Sequence, residues 1–190
     1  MCGRYYYSDK GADSKNEVLI AMMEKYYRGK YKTGEIFPGD TVPAVIERSG
    51  KLLPVPATFG FPGFSGGKLL INARSETAAE KPAFAESLRQ RRIILPANGF
   101  FEWSRDEKRA KYRFSVESAR TIYLCGLYRL VDGAPHFVIL TRAANDSMRS
   151  THDRMPVIAG EDQVRPYLTD RDAAMEIIAT ANPELSRVPA

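Results

Sequence analysis

The chain is poor in the residues that build metal centres and disulfide frameworks. Its 190 residues include two cysteines, two histidines and one tryptophan. Cys2 and Cys125 lie far apart in sequence, and neither is spaced with His136 or His152 as zinc ligands are. That scarcity predicts no disulfide, no metal and no cofactor. No apolar run approaches the eighteen or so residues of a membrane span, and no basic-then-apolar leader precedes a small-residue cleavage site. These absences imply no membrane partner and a cytoplasmic protein. Repeats, low-complexity tracts and linkers are missing as well. The length fits one domain, 1–190, which buries a core without crosslinks.

What is present is an ordinary globular composition with a basic bias. The formal charge is +5 and the isoelectric point about 9.2. The excess is local: residues 86–113 hold Arg89, Arg91, Arg92, Arg105, Lys108, Arg109, Lys111 and Arg113 against Glu86, Glu102, Asp106 and Glu107. Such a region favours a polyanion, or is simply a solvated charged face.

Ser14-Lys15-Asn16-Glu17 reads as a capping box, and Val18, Leu19, Met22, Met23 and Tyr26 follow at helical spacing, predicting a helix over 15–28 that Gly29 ends. From residue 40 the chain breaks into short β-branched or aromatic runs between Gly, Pro, Asn and Asp: TVPAVIE, LLPVPATF, KLLI, RIILPA, FFEW, KYRFSVE, TIYLCGLYRL and HFVILT. Helical patterns recur at 81–90, 143–149, 160–168 and 170–181, the last with Ala173, Ile177 and Ile178 on one face. The expected fold class is α+β: a mostly antiparallel, curled or barrel-like sheet with several flanking helices.

Four stretches exceed what strand periodicity requires. INARSETA (71–78) crowds Asn72, Arg74 and Glu76 where the sheet should turn. LPANGFFEWS (95–104) sets Glu102 between Phe101 and Trp103; the carboxyl points outward, or sits by an apolar wall where it suits proton transfer. Trp103 fills core or offers a stacking platform for a base. In STHDRMPVIA (150–159), His152 exchanges protons near neutral pH, or is a surface residue bonded to Asp153. His136, at the start of an apolar strand, reads as structural. Finally, Met1 precedes a small residue, Cys2, and is a substrate for methionine aminopeptidase. Its removal leaves an amine and a thiol on one carbon frame, both partly nucleophilic at neutral pH. Such an aminothiol condenses with an aldehyde to an imine that the sulfur closes to a thiazolidine; it also serves as a hydrolase nucleophile.

Met-Cys-Gly-Arg at 1–4, Ile-Asn-Ala-Arg-Ser-Glu-Thr at 71–77, Asn-Gly-Phe-Phe-Glu-Trp at 98–103 and Thr-His-Asp-Arg-Met-Pro at 151–156 together resemble the SOS-response-associated peptidase (SRAP) family of abasic-site-processing proteins, in order and spacing, from residue 1 to about 159. The resemblance implies a protein of the DNA damage response that binds single-stranded DNA at an abasic site and crosslinks to the ring-opened deoxyribose through Cys2. It assigns Cys2 as the aminothiol, Asn72 and Glu102 to the site, and His152 to proton transfer. Arg74 and Arg4 would contact flanking phosphates, and Trp103 a neighbouring base. Lyase-type cleavage is a side reaction, and a monomer is expected. The chain departs from the family pattern at Phe59-Gly60, where many members carry Trp-Gly, at Glu35, where Asn is common, and in its short tail. Two other classes remain: a cysteine autopeptidase using Cys2 with Glu102 or His152, and a non-enzymatic nucleic-acid-binding module.

Overall fold

The computed structural model describes residues 2–8, 14–63 and 67–190, and of residues 14–20 the backbone only. The capping-box side chains and those of Val18 and Leu19 lie outside that set.

In chain order the elements are β1 (Arg4–Tyr7), α1 (Ser14–Tyr27), β2 (Gly34–Ile36), β3 (Thr41–Arg48), β4 (Lys51–Phe59), β5 (Asn72–Arg74), α2 (Ala85–Gln90), β6 (Arg92–Ala97), β7 (Gly99–Trp103), β8 (Lys111–Ser115), β9 (Ile122–Val131), β10 (Ala134–Ala143), α3 (Asp146–Arg149), β11 (Arg154–Pro156), β12 (Ile158–Ala159), α4 (Val164–Thr169), α5 (Arg171–Ala179) and β13 (Ser186–Pro189). The α+β expectation holds: curled, mostly antiparallel sheets with helices packed outside. The strand expected at 68–71 is instead a single bridge, Leu70 to Phe61, and the strand begins at Asn72. Asn72–Arg74 is no turn; it runs parallel to Ile139–Thr141 of β10. The tail also forms a strand, β13, against β8. On α1, Met23 is buried and Tyr26 exposed.

One sheet has the order β13-β8-β7-β1-β2; the other runs β11-β10-β4-β3-β6-β9-β12 and returns on itself where β9 also pairs β10. β10 meets β4 only at His136–Thr58 and Phe137–Phe59. Pro54 and Pro56 of β4 carry no N–H, so that stretch cannot build a second ladder and the sheet curls without closing into a full barrel.

Period-two alternation divides the strands between two cores. Ile93, Leu95, Phe137 and Ile139 face the interior between the sheets, with Tyr5, Phe59, Phe100 and Phe114. Ile94, Val138 and Leu140 face the helices, with Tyr167, Leu168, Ile177 and Ile178. Both faces of β6 and of central β10 are therefore covered, which explains their unbroken apolar runs. Gly126 makes this packing possible: a Cβ there would sit 2.7 Å from the Val138 carbonyl oxygen and 3.0 Å from Ile93. Among the described residues no helix is long and apolar enough to cross a membrane.

Candidate active site

Cys2 is fully buried at the edge of the inter-sheet core, just before β1. Asn72, at the start of β5, donates from Nδ2 to the Cys2 carbonyl at 3.0 Å. Asn72 Oδ1 is buried with no hydrogen-bond partner among the described residues. The two share the site because β5 lies beside β10 while β1 belongs to the other sheet; the bond joins the sheets at one corner.

Beside Cys2, at Gly3 and Arg4, lies a cleft of about 910 Å³ lined also by Glu102, Trp103, Arg105 and His152, with Phe37, Pro38, Ser104 and Arg109 completing the wall; Cys2 and Asn72 are not among its lining residues. Glu102 is 5% exposed, on β7 opposite Tyr112 of β8. Gly99 sets the start of β7: its φ is +149°, and a Cβ would lie 2.6 Å from the Phe114 carbonyl oxygen.

Burial pushes the Cys2 thiol far above its usual pKa, and the negative charge of Glu102 adds to the rise. The sulfur of the buried residue is therefore a thiol at neutral pH, not the partly ionised group expected of a free N-terminal cysteine. Burial lowers the His152 pKa, against the opposing pull of Glu102 and Asp153. Its Nδ1 lies 2.9 Å from Asp153 Oδ1 and 3.0 Å from the Arg154 backbone N–H. The neutral ring accepts from Arg154, whereas the protonated ring donates to Asp153. Asp153 in turn pairs with Arg105 at 2.6 Å, tying the β7–β8 hairpin to the histidine loop.

Arg4 lies against two aromatic rings, 4.5 Å from the Phe37 centroid and 4.9 Å from that of Trp103. Trp103 is thus half-buried in the cleft wall beneath a cation. Arg74 is exposed two residues beyond Asn72 and is not among the cleft-lining residues. The basic segment 86–113 is not one patch. Arg92 is buried in the other sheet, where it donates to the carbonyls of Leu88, Arg89, Tyr167 and Leu168. Arg91 pairs with Glu86. Arg105 and Arg109 do reach the cleft, and Lys111 stands beside it. His136 bonds the Gly60 carbonyl through Nδ1 at 3.0 Å, consistent with a structural role.

Glu35 stood out in the sequence only as a departure from the family pattern and Lys111 only as one of a basic segment; the Glu35–Lys111 and Glu76–Arg154 pairs were missed. Glu76 accepts both Arg154 guanidinium nitrogens at 2.6 and 2.8 Å, and Arg154 also donates to the Thr141 carbonyl. This clasp fixes the start of β11, two residues after His152. The crowding of charge in INARSETA and HDRMP was its one visible sign.

Residues 1–188 match the family described as SOS response associated peptidase (SRAP). The chain belongs to that family. It is 30% identical, over 94% of its length and 83% of the relative's, to the abasic site processing protein YoaM of Bacillus subtilis. It is 27% identical, over 93% and 83%, to the abasic site processing protein YedK of Escherichia coli. The SRAP fold is shared with solved proteins from Bacteroides thetaiotaomicron (TM-score 0.78, 18% identity, 99% of this chain and 91% of that one) and Bordetella bronchiseptica (TM-score 0.76, 20% identity, 100% and 99%).

Proposed function

We propose that this SRAP protein processes abasic sites in single-stranded DNA by covalent capture through Cys2. The observation that supports the reading is that Glu102 and His152 line one basic, aromatic-walled cleft with Gly3 and Arg4, next to a Cys2 whose carbonyl Asn72 holds and whose thiol feels the Glu102 charge. Relatives named abasic site processing proteins support the substrate class.

The chemistry starts with removal of Met1, which frees the Cys2 amine. The abasic sugar is mainly a closed hemiacetal. His152, as imidazolium, gives a proton to the ring oxygen while Glu102 takes one from the anomeric hydroxyl; the C–O bond breaks and the aldehyde appears. The amine adds to the carbonyl carbon, water leaves, and an imine forms. The thiol then adds across C=N: sulfur bonds the former carbonyl carbon and its proton passes to nitrogen, closing the five-membered ring. Asn72 holds the Cys2 carbonyl without adding charge. Arg4 and Arg74 contact phosphates flanking the lesion, and Trp103 stacks on a neighbouring base. If ring closure is slow, the imine permits β-elimination of the 3′ phosphate.

The peptidase alternative needs a thiolate that attacks a peptide carbonyl, and burial beside Glu102 opposes that ionisation. The test is incubation of the protein with single-stranded abasic DNA, followed by denaturing electrophoresis. A stable adduct with wild type, absent with Cys2→Ala, is expected. No wild-type adduct, or one undiminished in Cys2→Ala, overturns thiazolidine capture.

A further inference from the structure

The outer face of the smaller sheet carries an ion bridge laid over aromatic rings. Lys111 Nζ, from β8, lies 2.9 and 2.8 Å from the two Glu35 carboxylate oxygens on β2. Arg4 Nη1, from β1, stands 3.4 Å from the same carboxylate. In the sheet order β8-β7-β1-β2, Lys111 and Glu35 are three strand positions apart, about 14 Å of backbone separation. Both side chains therefore lie flat across the intervening strands. Lys111 passes 4.1 Å from the Phe101 ring centroid and Arg4 rests on Trp103. Cross-strand register explains the floor: Arg4 is opposite Phe101, and Trp103 is opposite Lys111, so all four project from one face.

The carboxylate is out of keeping with its surroundings. The adjoining cleft is walled by Arg4, Arg105 and Arg109, and Glu35 takes up the charge of Arg4 and Lys111 at its rim. The pair is accessible, with Glu35 28% and Lys111 25% exposed. The pair is only partly exposed, and a phosphate that takes the carboxylate's place keeps both cations in charge-assisted bonds. A phosphate diester, like a carboxylate, presents two charged acceptor oxygens to a lysine and an arginine.

We propose that Glu35 is a built-in stand-in for a DNA phosphate: it occupies the Arg4–Lys111 cation pair until the strand arrives, and its displacement sets the affinity and salt dependence of DNA uptake. The inference rests on the DNA reading above. In wild type the carboxylate already cancels part of the charge of Arg4 and Lys111, so an arriving strand is neutralised less there and releases fewer of its own condensed counterions, which blunts one electrostatic contact. Glu35 is thus a determinant of how discriminating the cleft is: with that contact muted, lesion capture depends less on indiscriminate backbone affinity.

The experiment is fluorescence anisotropy with a short single-stranded oligonucleotide holding a central tetrahydrofuran abasic analogue, titrated across sodium chloride concentrations. Glu35→Gln is expected to bind several-fold tighter than wild type at low salt, with log affinity falling more steeply against log salt by about 0.7. In a Lys111→Gln background the gain from Glu35→Gln shrinks to less than half. Glu35→Asp, one methylene shorter, falls between wild type and Glu35→Gln and serves as the second variant; thermal melts verify folding. Equal affinity and slope in wild type and Glu35→Gln overturn the inference alone. Weaker binding by Glu35→Gln also overturns it, making Glu35 a positioning residue for Arg4 and Lys111. No salt-dependent binding by any of these proteins overturns the DNA reading itself, and the inference with it.

Discussion

Asn72 Nδ2 reaches the Cys2 carbonyl at 3.0 Å across seventy positions of sequence. This bond positions Cys2, because the first sheet ladder begins only at Arg4. Asn72→Ala frees that end, and Asn72→Asp turns the donor into a carboxylate facing a carbonyl oxygen. Both are expected to slow capture by about 100-fold, the cost of misplacing a reacting group by roughly an ångström. Single-turnover rates on abasic single-stranded DNA check this; wild-type rates in Asn72→Asp would contradict it.

His152 has its pKa lowered, chiefly by burial, so its charged form dominates only below the ordinary value of 6.5. A step that needs imidazolium and a neutral amine gives a bell-shaped rate profile whose acid limb inflects below pH 6.5. His152→Ala should slow capture about 100-fold and erase that inflection, while affinity for a tetrahydrofuran-containing strand changes less than about threefold. An equal loss of affinity would make His152 a binding contact.

Arg4 lines the cleft and Arg74 does not, so the two should differ in what they do. Arg74→Ala is expected to weaken binding of all single strands alike and reduce the salt slope by about 0.7, the loss of one phosphate contact. Arg4→Ala also strips the cover from Trp103 and Phe37. It should lower affinity further and reduce discrimination between abasic and intact strands, measured by competition binding.

Glu76 has its pKa lowered from 4.5 to about 2, above all by its bonds to Arg154. A depressed carboxylate contributes stability above its unfolded pKa, so the contribution is whole above about pH 4.5 and is lost as pH falls towards 2. Its side chain is 49% exposed, so the contribution is about 1 kcal/mol, as for other solvated pairs. Melting of wild type and Glu76→Gln from pH 7 down to 2 should show a gap that closes below pH 4.5; a gap independent of pH would contradict the assignment.

The residues to which the proposed reaction assigns roles were legible in the sequence because they break strand periodicity: Cys2 beside Met1, Asn72 and Arg74 in a crowded pentad, Glu102 between aromatics, His152 in a polar loop. The long strands were equally legible from β-branched and aromatic runs. What stayed hidden depends on which strands meet. β1, β2 and β5 are three or four residues long, too short for a pattern, and only their pairing makes them strands. Arg92 looked like part of a basic face, yet it satisfies four carbonyls at the ends of α2 and α4. The pairing of Glu35 with Lys111 gave no sign because it spans the width of a sheet.

The most direct measurement is the intact mass of the mature protein after incubation with a single-stranded oligonucleotide carrying one abasic site. Capture predicts loss of Met1 and an adduct lighter than protein plus DNA by one water. Borohydride should not add hydrogen to it, because no C=N bond remains once the sulfur has closed the ring. Cys2→Ser should give an adduct that does take up two hydrogens. A wild-type protein that keeps Met1, forms no adduct, or forms only one that borohydride reduces would contradict the central claim.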